Sequence, residues 1–226
     1  VPHPIVCQVT DRKSRPSTSP DPVTRLVERI RLCLDAGVDW IQIREKDLPG
    51  RELLVLAGQA VSAAQQHATA RQAPRILIND RLDVALAARA SGVHLGGESL
   101  AVADVVRWCR ADHAPAEFQV GVSCHSLDAV RAAEESGANY TFFGPMFDTP
   151  SKRAFGPPQG LNRLEEVCRA VRIPVIAIGG VNETNARDCL RAGASGIAAI
   201  RLFQEKTQEA IRAFVEQIHN RPLGER

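Results

Sequence analysis

Four times the chain repeats one hydrophobic phrase: apolar residues at helical spacing, a small residue, a glycine, then a short strand-like run. It appears in DAGVDWIQI around Gly37, RASGVHLG around Gly92, ESGANYTFFG around Gly137 and RAGASGIAAI around Gly193. Glycine just past a helical stretch reads as a left-handed helix stop, and the β-branched or aromatic run after it as a buried strand. Followed along the whole chain, the pattern predicts strands near residues 5–10, 39–45, 75–79, 93–96, 118–124, 140–145, 174–179 and 196–200. Helical spacing lies between them, as in PVTRLVERIRLCLDA, AVADVVRWCRAD and LNRLEEVCRAV. Eight such units take about 28 residues each, near the minimum for a closed (βα)8 TIM barrel. One α/β barrel over residues 1–226 is therefore the expected fold. The alternative, an open doubly wound sheet, wants a glycine-rich fingerprint after the first strand, and VTDRKSRPS has none. The Pro/Ser-rich stretch 14–22 reads as a βα loop.

Composition narrows the function classes. Apolar residues make up 44% of the 226 and aromatics only 4%, a balance suited to packed α/β layers. The net charge of +2 comes from basic residues scattered along the chain, with no lysine-rich tract, so nucleic acid is not an expected partner. No apolar run reaches the ~20 residues of a membrane span. The opening VPHPIVCQV lacks the long apolar stretch of a secretory signal, which predicts a soluble cytoplasmic protein. Cysteines at 7, 33, 109, 124, 168 and 189 form no CxxC pair and read as buried free thiols.

Polar residues at the strand ends are where the chemistry is expected. In WIQIREK, period-two alternation puts Gln42, Arg44 and Lys46 on one face and Ile41 and Ile43 on the other. Helices cover the outside of a parallel barrel, so the polar set should point inward, toward the C-terminal mouth where such enzymes work. Arginine and lysine converging there call for an anion such as a diphosphate or carboxylate. ILIND brings Asn79 and Asp80 to the same rim, as a substrate-binding amide and a magnesium carboxylate, with a helix N-cap by Asp80 or Asp83 as the alternative. GVSCHS offers Ser123 and His125, while His94 in GVHLG reads as a hydrogen-bonded interior residue. The long loop GPMFDTPSKRAFGPPQG after the sixth strand carries Thr149, Ser151 and Lys152, hydroxyls beside a cation. Gly179 and Gly180 let backbone N–H groups approach an anion, at the position where barrels often bind phosphate, and Arg201 after the eighth strand can add a contact. Two anion sites in one mouth imply two phosphorylated small-molecule substrates, one of them a metal diphosphate.

QIREK at 42–46, ND at 79–80, GVHLG at 92–96, GVSCHS at 121–126, FGPMFDTPSK at 143–152, IPVIAIGGV at 173–181 and AGASGIAA at 192–199 together resemble the family of thiamine-phosphate synthases and thiazole tautomerases. The synthase resemblance implies that hydroxymethylpyrimidine diphosphate loses diphosphate and that the nitrogen of a thiazole phosphate captures the pyrimidine carbocation. It implies that Gln42, Asn79 and Ser123 hold the pyrimidine substrate, that Asp80 binds Mg²⁺, and that Arg44, Lys46 and Lys152 serve the departing diphosphate. Thr149, Ser151, Gly179, Gly180 and the end of the eighth strand, Ile200 and Arg201, would hold the thiazole phosphate. The chain departs from the synthase pattern at Gly97, at Ser99 (an aspartate metal ligand in the family) and at Arg201 (a serine there), with Glu98 adjacent to the second metal position. Ser99 and HSL at 125–127 resemble the tautomerases, in which the matching histidine, His125 here, is proposed as an acid–base group. A non-catalytic phosphate-binding barrel is a third reading, and a homo-oligomer is compatible with any of them.

Overall fold

In a computed structural model that describes residues 3–13, 21–68, 73–148, 157–204 and 206–220, eight parallel strands close into one barrel. They are β1 Ile5–Val9, β2 Trp40–Ile43, β3 Arg75–Asn79, β4 Gly92–Leu95, β5 Gln119–Cys124, β6 Tyr140–Phe143, β7 Val175–Ile178 and β8 Gly196–Ala199. Each pairs with the next, and β1 also pairs with β8 through Ile5↔Gly196 and Cys7↔Ala198, which closes the ring. The helices that follow the strands are α1 Pro22–Asp35, α2 Gly50–Gln66, α3 Leu82–Ala87, α4 Val102–Trp108, α5 Leu127–Glu135, α6 Gly160–Ala170, α7 Ala186–Arg191 and α8 Gln208–His219. This is the (βα)8 architecture that the hydrophobic pattern predicts. Among the described residues no helix is long and apolar enough to cross a membrane.

The alternation of the strands builds two separate cores. Val6, Ile41, Ile43, Ile76, Ile78, Val93, Leu95, Val120, Val122, Phe143 and Ile197 face outward and pack under the helices. Cys7, Val9, Trp40, Leu77, Tyr140, Phe142, Ile176 and Ala198 face inward and fill the barrel. Each fully buried large side chain contributes roughly 1.5–3 kcal/mol, so both layers are needed to offset the ordering of the chain. Tyr140 lies across the middle of the barrel, edge-on to Trp40, and a Cβ at Gly121 would fall 2.0 Å from its ring. The glycine of GVSCHS is therefore first a space for an aromatic plug. All six cysteines are free thiols, and burial raises the pKa of Cys33 to about 12.

Three expectations need correction. Gly37, Gly137 and Gly193 do hold the positive φ of a helix stop, but in the phrase around Gly92 it is Arg89 that takes that conformation (φ 54°). Gly92 is instead the first residue of β4, where a Cβ would lie 2.2 Å from the Gln119 carbonyl oxygen. The stretch AVADVVRWCRAD is α4 only to Trp108, followed by a wider turn over Cys109–His113 in which Asp112 has φ 60°. Finally, neither Asp80 nor Asp83 caps α3, whose N-cap is Arg81 with no side-chain cap bond.

Candidate active site

Barrel alternation brings a band of polar side chains from β2 to β5 together inside the mouth. Gln42, only 2% exposed, lies with its Nε2 3.4 Å from Asn79 Oδ1 on the neighbouring strand. His94, paired in register with Asn79, contacts Ser123 Oγ through Nε2 at 2.9 Å and the Tyr140 hydroxyl through Nδ1 at 3.1 Å. Burial, together with the nearby positive charge of Arg44, lowers the His94 pKa from 6.5 to about 3, so the ring is neutral at ordinary pH. It orients Ser123 and does not exchange protons with the medium. The interior role read for His94 holds.

Arg44 follows the last residue of β2, half-buried, with its backbone N–H on Thr10 Oγ1 at 2.9 Å. Lys46 departs from the expectation. The strand ends at Ile43, and a turn closed by the Leu48 N–H on the Glu45 carbonyl carries Lys46 at the surface, so strand alternation does not set its direction. Between them, Glu45 is a buried carboxylate that receives the Arg12 backbone N–H and the Arg12 guanidinium at 2.9 Å. Arg12 also grips Asp47, whose pKa Arg12 and then Lys13 push well down, so the loop after β1 is clamped to the loop after β2. Sequence reasoning missed Thr10, Arg12 and Glu45. The available signal was Glu45 itself, a charge on the face opposite Arg44 that burial would oblige to find a partner.

At the rim Asp80 adopts φ 71° and is exposed, and Ser99 donates its hydroxyl to Asp80 Oδ1 while accepting the Gly96 N–H at 2.6 Å. Asp80, the expected metal ligand, and Ser99, at the family's second metal position, are thus in direct contact, and Glu98 is exposed beside them. His125 leaves the end of β5 exposed, its Nδ1 against the Gly144 carbonyl oxygen of the cis Gly144–Pro145 bond. Across the mouth, Gly179 (φ 95°) and Gly180 (φ 72°) follow β7. A Cβ would fall 2.7 Å from Pro145 Cα at the first and 2.8 Å from Phe147 Cβ at the second, and Phe147 donates its N–H to the Gly179 carbonyl at 2.9 Å. Close packing of the loop after β6 therefore demands both glycines, independently of any anion. Ile200 packs on the interior cluster, and Arg201 is exposed at the start of a short 3₁₀ turn after β8. Thr149, Ser151 and Lys152 lie outside the described residues.

Relatives share this framework over most of its length. The family model described as "Thiamine monophosphate synthase" matches residues 7–203, from the first strand of the barrel to the turn after the last. A thiamine-phosphate synthase of Roseiflexus castenholzii is 39% identical over 196 residues, covering 87% of this chain and 79% of its own. One from Chlorobium luteolum is 35% identical over 227 residues, covering 99% and 98%. Among solved structures, thiamine phosphate pyrophosphorylase from Pyrococcus furiosus superposes with a TM-score of 0.77 at 31% identity, over 95% of this chain and 96% of that one. Likeness in sequence as well as in fold, carried around the whole barrel, makes the chain a member of the thiamine monophosphate synthase family.

Proposed function

We propose that the chain is a transferase acting in thiamine biosynthesis, which joins the pyrimidinylmethyl group of hydroxymethylpyrimidine diphosphate to the ring nitrogen of a thiazole phosphate and releases diphosphate. The observation that carries this reading is the polar band Gln42–Asn79–His94–Ser123 ending at the Asp80 rim, in a chain whose relatives bear the synthase name. Neutral donors and acceptors at the depth of the band suit an uncharged heteroaromatic ring, and cationic side chains at the rim suit its diphosphate.

The donor set at the rim fits Mg²⁺. This ion binds through one or two carboxylates, keeps several waters and takes further oxygens from substrate phosphates, so it needs no all-protein cage. Asp80 would hold it, with Ser99 fixing one carboxylate oxygen and leaving the other for coordination, and with Glu98 within the same turn. When bound, the ion supplies positive charge to the leaving diphosphate.

Bond breaking and bond making balance without an external base. The C–O bond of the pyrimidinylmethyl ester breaks, the electron pair leaves with the diphosphate, and the thiazole nitrogen lone pair forms the new C–N bond. Arg44, Lys46 and Lys152 stabilise the departing charge, an interaction stronger in the transition state than in the ground state. Gln42, Asn79 and Ser123 hold the pyrimidine, while the backbone at Gly179 and Gly180, with Thr149, Ser151, Ile200 and Arg201, receives the thiazole phosphate.

Incubating the purified chain with Mg²⁺ and both substrates should yield diphosphate and thiamine phosphate in equal amounts, and Lys152→Ala should lower kcat more than it weakens substrate binding. Thiazole isomer interconversion without diphosphate release would make the chain a tautomerase with His125 as its acid–base group. Tight thiazole-phosphate binding with no turnover of either kind would make it a binding barrel.

A further inference from the structure

At the end of the barrel opposite the mouth, three segments distant in sequence meet on one buried carboxylate. Asp39, 4% exposed, immediately precedes β2, His3 precedes β1, and His219 is the last residue of α8. Asp39 Oδ2 accepts the Val6 N–H at 2.7 Å, which fixes the carboxylate plane. His219 Nε2 lies 3.0 Å from the same oxygen, and His3 Nδ1 lies 3.8 Å from Oδ1. The two imidazoles pack with ring centroids 4.0 Å apart, and one donor atom from each of the three residues falls within 4.8 Å of the others. Among the described residues no other group of three histidine, cysteine or acidic side chains comes this close together.

We propose that His3, Asp39 and His219 form a binding site for a divalent transition-metal ion of the zinc class, a staple across the closed end of the barrel. Tetrahedral coordination at ~2.0–2.1 Å sets neighbouring ligand atoms ~3.3 Å apart. His219 Nε2 stands 3.0 Å from Oδ2, and His3 Nδ1, which also lies 3.2 Å from the Pro4 carbonyl oxygen, stands 3.8 Å from Oδ1, so an ion between the rings would face both carboxylate oxygens. Imidazole nitrogen with a single carboxylate is a donor set that selects zinc and its neighbours over magnesium. An ion held by two imidazole nitrogens and one carboxylate would bring net positive charge to a carboxylate already withdrawn from water. His3, the most exposed of the three at 38%, leaves the remaining positions open to water. Because the ligands come from the segment before β1, the residue before β2 and the end of α8, a bound ion would tie α8 to the starts of the first two strands.

The test uses untagged full chain freed of metal by a chelator, titrated with Zn²⁺ and, in parallel, Mg²⁺. One equivalent of zinc should bind, and at a hundredfold excess over its Kd it should raise the melting temperature by about 5–10 °C, with no such rise from magnesium. His219→Gln keeps a hydrogen-bond donor for Asp39 but removes a ligand, and His3→Ala removes another at an exposed position. Each should weaken zinc binding more than ~10-fold. A chain that gains no stability with zinc overturns the proposal and leaves a hydrogen-bonded clasp. A zinc-dependent rise retained in both variants overturns it equally, because the ion then sits elsewhere.

Discussion

The two sides of the barrel mouth are built on different principles. From β2 to β5 the inward positions nearest the mouth are side chains with hydrogen-bonding tips, Gln42, Asn79, His94 and Ser123, each touching a neighbour. From β6 to β8 the inward positions are Phe142, Ile176, Ile178 and Ala198, and the rim above them is glycine backbone packed against the 145–147 segment. One side offers chemistry through side chains that can be exchanged without moving the chain. The other offers main-chain groups whose position depends on the absence of side chains.

That contrast makes substitutions separable. The largest effect is expected at Asp80→Asn, which removes the carboxylate charge while asparagine tolerates the left-handed φ of 71°. Steady-state assays should show kcat/KM lowered by ~10³-fold with the melting temperature nearly unchanged. Next comes the acid limb of stability. The folded pKa of His94, about 3, lies below its ordinary 6.5, so the unfolded chain takes up the proton first and stability is lost as pH falls from 6.5 toward 3. Urea unfolding at pH 7 and pH 4 should differ by about 3 kcal/mol from this group, and His94→Gln should remove that part of the slope. On the opposite side, Gly180→Ala meets both a φ of 72° and the Phe147 backbone, and it should cost about 2 kcal/mol in stability together with activity. If Gly180→Ala lowered activity alone, the backbone side would be no more rigid than the side-chain side, and the contrast would fail. The smallest effect is expected at Ser99→Ala, which removes one hydrogen bond to Asp80 at a cost of about 1 kcal/mol, read as a several-fold higher Mg²⁺ requirement.

How much of this was legible in the sequence follows from how local each feature is. Strand positions were, because Ile41, Ile43, Ile76 and Ile78 alternate with inward residues and the period reports directly on burial. The inward direction of Gln42 followed from the same period. Lys46 was misdirected because a strand carries its alternation only as far as its last ladder bond, and β2 stops at Ile43. Gly92 was misread because a glycine required by a neighbouring backbone looks the same in sequence as one required by a left-handed turn. The contacts Arg12–Glu45, Ser99–Asp80 and His219–Asp39 join segments that only barrel closure brings together, and no spacing along the chain announces them.

The tyrosine lodged against Gly121 has a kinetic consequence. With Tyr140 wholly buried against Trp40 and Phe142, the described residues fill the barrel at its waist and give the mouth a floor. Whatever enters through the rim must depart through the rim. Two reactants and two products sharing one doorway would have to take turns, the molecule seated deepest entering before the one that covers it.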